Sequence, residues 1–377
     1  MKRCTKCLVP DRVPGVSLSP DGVCNLCRDE SSLAATTART EEARRAYEAD
    51  FENTLLECRG QGEYDCLVPL SGGKDSIYLL YRLAVELKLK VLAFTVDINI
   101  PALAWDNIKR ALGKLNIHHI SYSPAPDFYK NIFRYLLCNQ EERGAVYTLS
   151  YVYAPLFEGD AIKLAIAKGI PLVLAGYSPG QPEPERMLYE FSRQLLCETD
   201  WTPPELANCG EFSADDLGRF YNPRSYPPGT QVPRYLAPFH AWPYNQEEIM
   251  RKVVDLGLVA SSKHANPIHS NYPINWLLMY SDLLTFGYNP YAPEFSSLIR
   301  HGKANRRYWQ VMGPVVDFLI RNRVGPGREV TRSMNWLGLT ADDLRITRPR
   351  GAYDPVLEPR AAADSPGPAA RAEGERE

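Results

Sequence analysis

The sequence predicts an α/β fold: a parallel sheet with helices on both faces, an N-terminal zinc ribbon and a mostly helical C-terminal region. Three observations carry this. Apolar runs at 64–70, 90–97 and 170–176, with a short strand pattern at 118–122, alternate with amphipathic helical patterns, the signature of a parallel sheet covered on both sides. The first run ends in Ser71-Gly72-Gly73-Lys74-Asp75-Ser76, a glycine turn that opens a helix. Two Cys-x-x-Cys knuckles, Cys4/Cys7 and Cys24/Cys27, stand sixteen residues apart near the start of the chain.

The elements follow in order. Residues 1–30 form the ribbon, with Pro10, Pro14, Gly15, Pro20 and Gly22 supplying its turns. Four thiolates in this spacing suit one tetrahedral zinc, with iron–sulfur as the lesser option. Residues 31–62 are a linker carrying a charged helix at 40–58. The core spans 63–177. It holds the strand at 64–70, a helix at 76–87, the strand at 90–97, and a helix at 106–115 with Asp106 as N-cap. A short strand at 118–122, a long helical stretch at 127–168 and the strand at 170–176 complete it. Residues 178–245 are rich in Pro, Gly, Trp and Tyr and read as an ordered, irregular insertion or lid over the sheet. Residues 246–358 are a helical substrate or partner region, with helices at 246–256, 275–286, 305–323 and 336–345. In the third of these, Trp309, Val311, Met312, Val315, Val316, Phe318 and Leu319 read as a core-facing stripe, and Pro314 as a kink or break. Residues 359–377 are mostly Ala, Pro, Gly, Glu and Arg, the composition of a disordered tail.

The composition sets bounds. The chain has 377 residues, 45% hydrophobic and 23% charged, with a net charge of −2. That is an ordinary globular balance without the basic footprint of a nucleic-acid binder. No apolar run approaches the ~20 residues of a membrane span. The N-terminus Met1-Lys2-Arg3-Cys4 lacks a signal-peptide core, and a cytoplasmic enzyme is the expectation. Nine cysteines, an odd number, argue against a disulfide framework.

The glycine turn carries the chemistry. Gly72 and Gly73 let the backbone close on an anion, the helix start aims its amides at it, and Lys74, Ser71 and Ser76 add a cation and hydroxyls. Ligands of parallel sheets gather at the carboxyl ends of the strands, here Leu70-Ser71, Asp97 and Gly176.

SGGKDS resembles the PP-loop of the ATP pyrophosphatase superfamily, with its HUP-type sheet. The resemblance implies ATP and Mg²⁺ bound by Leu70, Ser71, Gly72, Gly73, Lys74, Asp75, Ser76, Asp97 and Gly176. The ribbon, with Asp21-Gly22-Val23-Cys24, a following helix, Asp106-Asn107-Ile108 and Ser297–Arg306 together resemble the N-acetyl sugar amidotransferase family. That resemblance implies an amidotransferase: ATP adenylates an acetamido oxygen of a small, nucleotide-linked sugar, pyrophosphate leaves, and ammonia displaces AMP. It implies catalytic roles for Lys74, Asp75 and Glu183, substrate or phosphate contacts for Gln181, Glu185, Arg300, Lys303 and Arg306, structural zinc on Cys4, Cys7, Cys24 and Cys27, and glutaminase and ammonia-channel partners.

Two other readings stand beside it. Thiolating pyrophosphatases share the loop and often a ribbon, and sulfur could go to tRNA or to a small molecule. Many use a cysteine pair ahead of the strand ending near Gly176, and residues 145–176 contain no cysteine. The third reading is a non-catalytic nucleotide-binding module.

Overall fold

In the computed structural model of the chain, residues 1–179, 189–265 and 274–354 are described, with only the backbone for 30–40. The expected tail at 359–377 lies outside them. Seven strands are present among the described residues: β1 (Cys66–Pro69), β2 (Val91–Val96), β3 (His118–Tyr122), β4 (Gln140–Glu141), β5 (Leu172–Leu174), β6 (Arg234–Leu236) and β7 (Ile346–Arg348). The main sheet has the order β3-β2-β1-β5-β6, and every neighbouring pair is parallel. β4 and β7 form a separate parallel pair. Helices of eight residues or more are α1 (Glu30–Cys58), α2 (Lys74–Tyr81), α3 (Ala102–Leu115), α4 (Pro126–Cys138), α5 (Ala145–Lys168), α6 (Gln246–Asp255), α7 (Asn275–Thr285), α8 (Ala292–Arg300), α9 (Arg306–Asn322) and α10 (Arg328–Leu337).

Both faces of the central strands β1, β2 and β5 are covered, which is why they read as continuous apolar runs, whereas the edge strand β3 is exposed to half-buried. Successive side chains go to opposite faces. Leu67, Leu92, Phe94 and Val173 pack with residues of α4, α5 and α7. Cys66, Val68, Val91, Ala93, Leu172 and Leu174 pack on the other side with residues of α2, α3 and α6 and with Phe51 of α1. The chain lays β2 and β3 outward on one side of β1, then β5 and β6 on the other. The direction of winding reverses beside β1, so the loops after β1 and β5 flank one crevice, the place where such sheets bind ligands.

Several boundaries differ from the sequence reading. α3 starts at Ala102 behind Pro101, whose extended backbone serves as N-cap, so Asp106 lies inside the helix. α2 begins at Lys74, and its continuation, Arg82–Glu86, is a π-helical turn. The 178–245 insertion does more than lie over the sheet: residues after 188 deliver a fifth strand to it and bury Phe191, Trp201, Tyr221 and Tyr235 in the main core. α9 runs unbroken through Pro314. Its stripe is not core: Val316 is buried, while Val311 is 63% and Phe318 59% exposed. The expected helix at 336–345 is replaced by α10, a 3-10 turn at Ala341–Asp343 and β7.

Candidate functional site

The crevice holds the glycine turn. Leu70 is fixed on the sheet through its amide, which donates to the Phe94 carbonyl at 2.7 Å, and through its own carbonyl, which accepts from Thr95 Oγ1 at 2.7 Å. The chain then turns at Gly72, where φ is +77°. A Cβ at Gly72 would lie 2.5 Å from the Ala104 carbonyl oxygen of α3, so only glycine permits this approach. Gly176, after β5, meets the other side: a Cβ there would lie 2.9 Å from the Ser76 backbone. The two glycines let α3 and the β5 end close on the turn from both flanks.

α2 starts from Gly73 without a side-chain cap. The amides of Lys74, Asp75 and Ser76 therefore have no intrahelical acceptor and, with the helix dipole, suit an anion. Ser71 Oγ and Ser76 Oγ lie 3.1 Å apart, bracing the turn. Lys74 is buried, and its Nζ donates to Asp75 Oδ2 at 2.6 Å. Burial opposes its charge, but Asp75, Tyr244 and Glu294 together hold its pKa above the ordinary lysine value. Asp75 Oδ1 accepts from the Tyr244 hydroxyl at 3.1 Å. The ammonium is thus kept charged beside the turn, paired with Asp75.

The turn opens into a cavity of about 450 Å³. One wall is β1, β2 and α3. The opposite wall is α7, α8, α9 and two ribbon residues, Arg3 and Leu8. Tyr177, Tyr291, Phe295 and Trp309 give aromatic faces. Arg3 pairs with Asp317 at 2.8 Å, and Asn289 Nδ2 donates to the same carboxylate at 3.2 Å. The Tyr291 hydroxyl donates to Asn275 Oδ1 at 2.7 Å. Asn107 of α3 donates from Nδ2 to the carbonyls of Gly72 and His264, both at 3.0 Å. Its Oδ1 is buried without a partner. Glu294 of α8 also lines the cavity. Enclosure raises its carboxyl to about 8, with Lys74 opposing and Asp75 adding to the rise.

The ribbon brings Cys4, Cys7, Cys24 and Cys27 together, all buried, with their Sγ atoms within 4.8 Å of one another. Cys4 and Cys27 Sγ are 3.9 Å apart and Cys7 and Cys24 Sγ 3.6 Å. A tetrahedron with metal–sulfur bonds of about 2.3 Å has edges near 3.8 Å, so the donor set fits a single tetrahedral ion.

The sequence-derived residues fall into three groups. Leu70, Ser71, Gly72, Gly73, Lys74, Asp75, Ser76 and Gly176 all line the cavity. Asp97 does not: its carboxylate accepts the amides of Asn99 at 3.0 Å and Ile100 at 3.2 Å and shapes the loop after β2. Arg300, Lys303 and Arg306 are also outside the cavity lining. Arg300 donates to Cys7 Sγ at 3.4 Å, and Arg306 donates to the carbonyls of Lys6 at 3.0 Å and Thr5 at 2.6 Å. Their charge clasps the ribbon. Gln181, Glu183 and Glu185 lie outside the described residues. Asn107 belongs to the Asp106-Asn107-Ile108 motif, but no role in the crevice was read from it; Tyr244 and Glu294 had no local signal, since each reaches the crevice from a distant segment.

No protein-family model matches the chain, and no curated protein matches it. Solved structures give distant likenesses. An NMN synthetase from Francisella tularensis is 12% identical, with 82% of this chain and 97% of that one covered and a TM-score of 0.34. A U34-tRNA thiolase from Methanococcus maripaludis, solved with its [4Fe-4S] cluster, is 12% identical, with 97% and 92% covered and a TM-score of 0.34. An NH3-dependent NAD synthetase from Campylobacter jejuni is 14% identical, with 82% and 96% covered and a TM-score of 0.32. At this distance they decide neither chemistry nor substrate.

Proposed function

We propose that the protein is an ATP-dependent adenylating enzyme of the PP-loop pyrophosphatase type, acting as an amidotransferase. The observation that carries this is the glycine turn itself: free helix-start amides, two hydroxyls and a buried lysine at the sheet's winding reversal, opening on a cavity large enough for a second reactant. ATP lies with its phosphates on residues 71–76. Mg²⁺, a hard cation, would add neutralising charge there, and Asp75, which already accepts from Lys74 and Tyr244, is the carboxylate that would hold it. The acceptor's carbonyl oxygen attacks the α-phosphorus, and pyrophosphate departs against Lys74 and the turn amides. Nitrogen then displaces AMP. An amide or carboxylate carbon is a poor electrophile, and converting its oxygen to an AMP ester supplies a leaving group. The protein's share is placement and charge neutralisation.

The acceptor class follows from the sequence resemblance: an acetamido group on a nucleotide-linked sugar. Ammonia then comes from a separate glutaminase. Among the described residues no cysteine lines the cavity, which favours nitrogen over a sulfur borne by this chain. The four-cysteine ribbon holds zinc in a structural role. Its compact sulfur tetrahedron suits one ion better than a four-iron cluster, which places an iron at each thiolate and needs them farther apart.

The test is isotope tracing. Purified protein is given MgATP, ammonium chloride and UDP-acetamido sugars labelled with ¹⁸O at the carbonyl. Label appearing in AMP supports the reading. AMP without label, or ATP consumption giving ADP, overturns it.

A further inference from the structure

We propose that Asn107 reads a hydrogen-bond donor on the ligand of this cavity: its Oδ1 accepts from a neutral N–H or O–H held close to the bound phosphates. The inference deepens the adenylation reading and rests on it for the ligands concerned.

Asn107 stands on α3, is 1% exposed and lines the cavity. Its Nδ2 carries two hydrogens, and both are committed. They go to the carbonyls of Gly72 and His264, each at 3.0 Å. Those two bonds fix which way the amide lies. Turned over, it would set Oδ1 against two carbonyl oxygens, acceptor on acceptor. The clamp accounts for the nitrogen and leaves the oxygen over. Oδ1 is buried without a partner. Among the described residues, it is the one such buried side-chain atom that belongs to the cavity lining. A buried acceptor lacking a donor is unfavourable, and a ligand that brings a donor relieves it.

Position narrows the donor. Gly72, whose carbonyl holds the amide, is the pivot of the glycine turn. Ala104, three residues before Asn107, packs directly on that pivot. A group that meets Oδ1 therefore lies beside the phosphates. Phosphate oxygens are themselves acceptors, and the amide oxygen turns them away. Two groups have the right chemistry: a ribose hydroxyl of the nucleotide, and the N–H of an acetamido group whose oxygen faces the α-phosphorus. Either gives the cavity a means of selection. An analogue without the donor leaves Oδ1 unpaired, and sites built on such a bond reject the analogue that lacks it.

Two measurements test it. Calorimetry on the full chain compares wild type with Asn107→Ala. The probes are MgATP, its 2′-deoxy and 3′-deoxy forms, a UDP-acetamido sugar and the matching acetate ester, in which oxygen replaces the N–H. One of these edits is expected to weaken binding to wild type by roughly 10- to 100-fold and binding to Asn107→Ala by less than about 3-fold. A deoxy arm assigns the donor to the ribose, and the ester arm assigns it to the acceptor. Edits that weaken both proteins alike overturn the proposal and leave adenylation standing. Wild type that binds neither nucleotide nor sugar overturns both. The second measurement needs no folded variant: crystals of wild type with a non-hydrolysable ATP analogue and the UDP-acetamido sugar. A ligand nitrogen or oxygen within about 3.2 Å of Asn107 Oδ1 supports the proposal. A water or a protein atom in that place, with both ligands bound, overturns it.

Discussion

Lys74 is held by its sequence neighbour Asp75, whose other carboxylate oxygen is held by a residue far away, Tyr244. Replacing it with Ala removes the cation without touching the turn's amides. Pyrophosphate release is expected to drop by roughly 100- to 1,000-fold, the scale of losing one preorganised group at a charge-bearing position, while nucleotide binding weakens less. Steady-state release with the best acceptor checks this. Gly72→Ala acts differently. It sets a methyl group against the Ala104 carbonyl in a left-handed conformation, so a stability loss of about 1–3 kcal/mol is expected, with the turn displaced and activity falling too. Denaturant unfolding measures the first and ATP binding the second. The turn was legible because its chemistry is contiguous: six residues carry the glycines, the hydroxyls and the lysine. Glu294 was illegible for the opposite reason. A glutamate in the first turn of a helix reads as a complement to the helix dipole, and nothing in its neighbours says that the turn faces a cavity.

At the scale of elements, α5 depends on another helix for its start. Gly144 offers no side chain as a cap. Asp282 of α7 accepts the amides of Ala145 and Val146 instead, the latter at 3.0 Å. Burial raises the Asp282 carboxyl to about 7, although the two amides pull the other way. An acid whose folded pKa lies above its unfolded value keeps a proton that the unfolded chain gives up. Its contribution is therefore full below pH 4 and lost as pH rises toward 7. Glu294, raised to about 8, pushes in the same direction, so the comparison must be with a variant. Asp282→Asn, which cannot ionise, is expected to be less stable than wild type at pH 5 and to close that gap by pH 8. Melting temperatures of both proteins across this range check it.

α9 gives a second prediction. Ile320 is fully buried and Val311 is 63% exposed. Ile320→Ala is expected to cost about 2–5 kcal/mol, and Val311→Ala to stay within about 0.5 kcal/mol. Equilibrium unfolding in denaturant separates them, and the reverse order would restore the core-facing stripe. Sequence periodicity found this helix and its length. It could not choose which of two apolar flanks faces inward, because both carry large side chains. The strands were easier: a sheet buried on both sides leaves no polar face to confuse the reading. β6 escaped because three residues in a Pro-rich stretch, Arg234–Leu236, announce no strand until β5 lies beside them.

On the scale of the whole molecule, the ribbon is a wall of the cavity as well as a four-thiol group that fits a metal ion. Arg3 and Leu8 line the crevice, while Arg300 and Arg306 grip the ribbon from α8 and its junction with α9. Cys24→Ser is expected to lose the metal ion and to lower the unfolding temperature and ATP affinity together, because the wall loosens with the ion. Metal analysis is expected to give one zinc per chain in wild type. A variant that loses zinc but keeps both melting temperature and nucleotide affinity would show the ribbon to be independent of the crevice. The knuckles themselves were plain in the sequence. What they touch was not, since the basic residues that clasp them read equally well as phosphate ligands.

The bond between Arg3 and Asp317 joins residues 314 positions apart. On a ribosome adding roughly 5–20 residues per second, the second partner emerges about 15–60 s after the first. Throughout that interval the nascent chain carries its cysteine module beside an unfinished chamber. An ion taken up by those thiols in that interval would set the module's shape before the helices that clasp it exist.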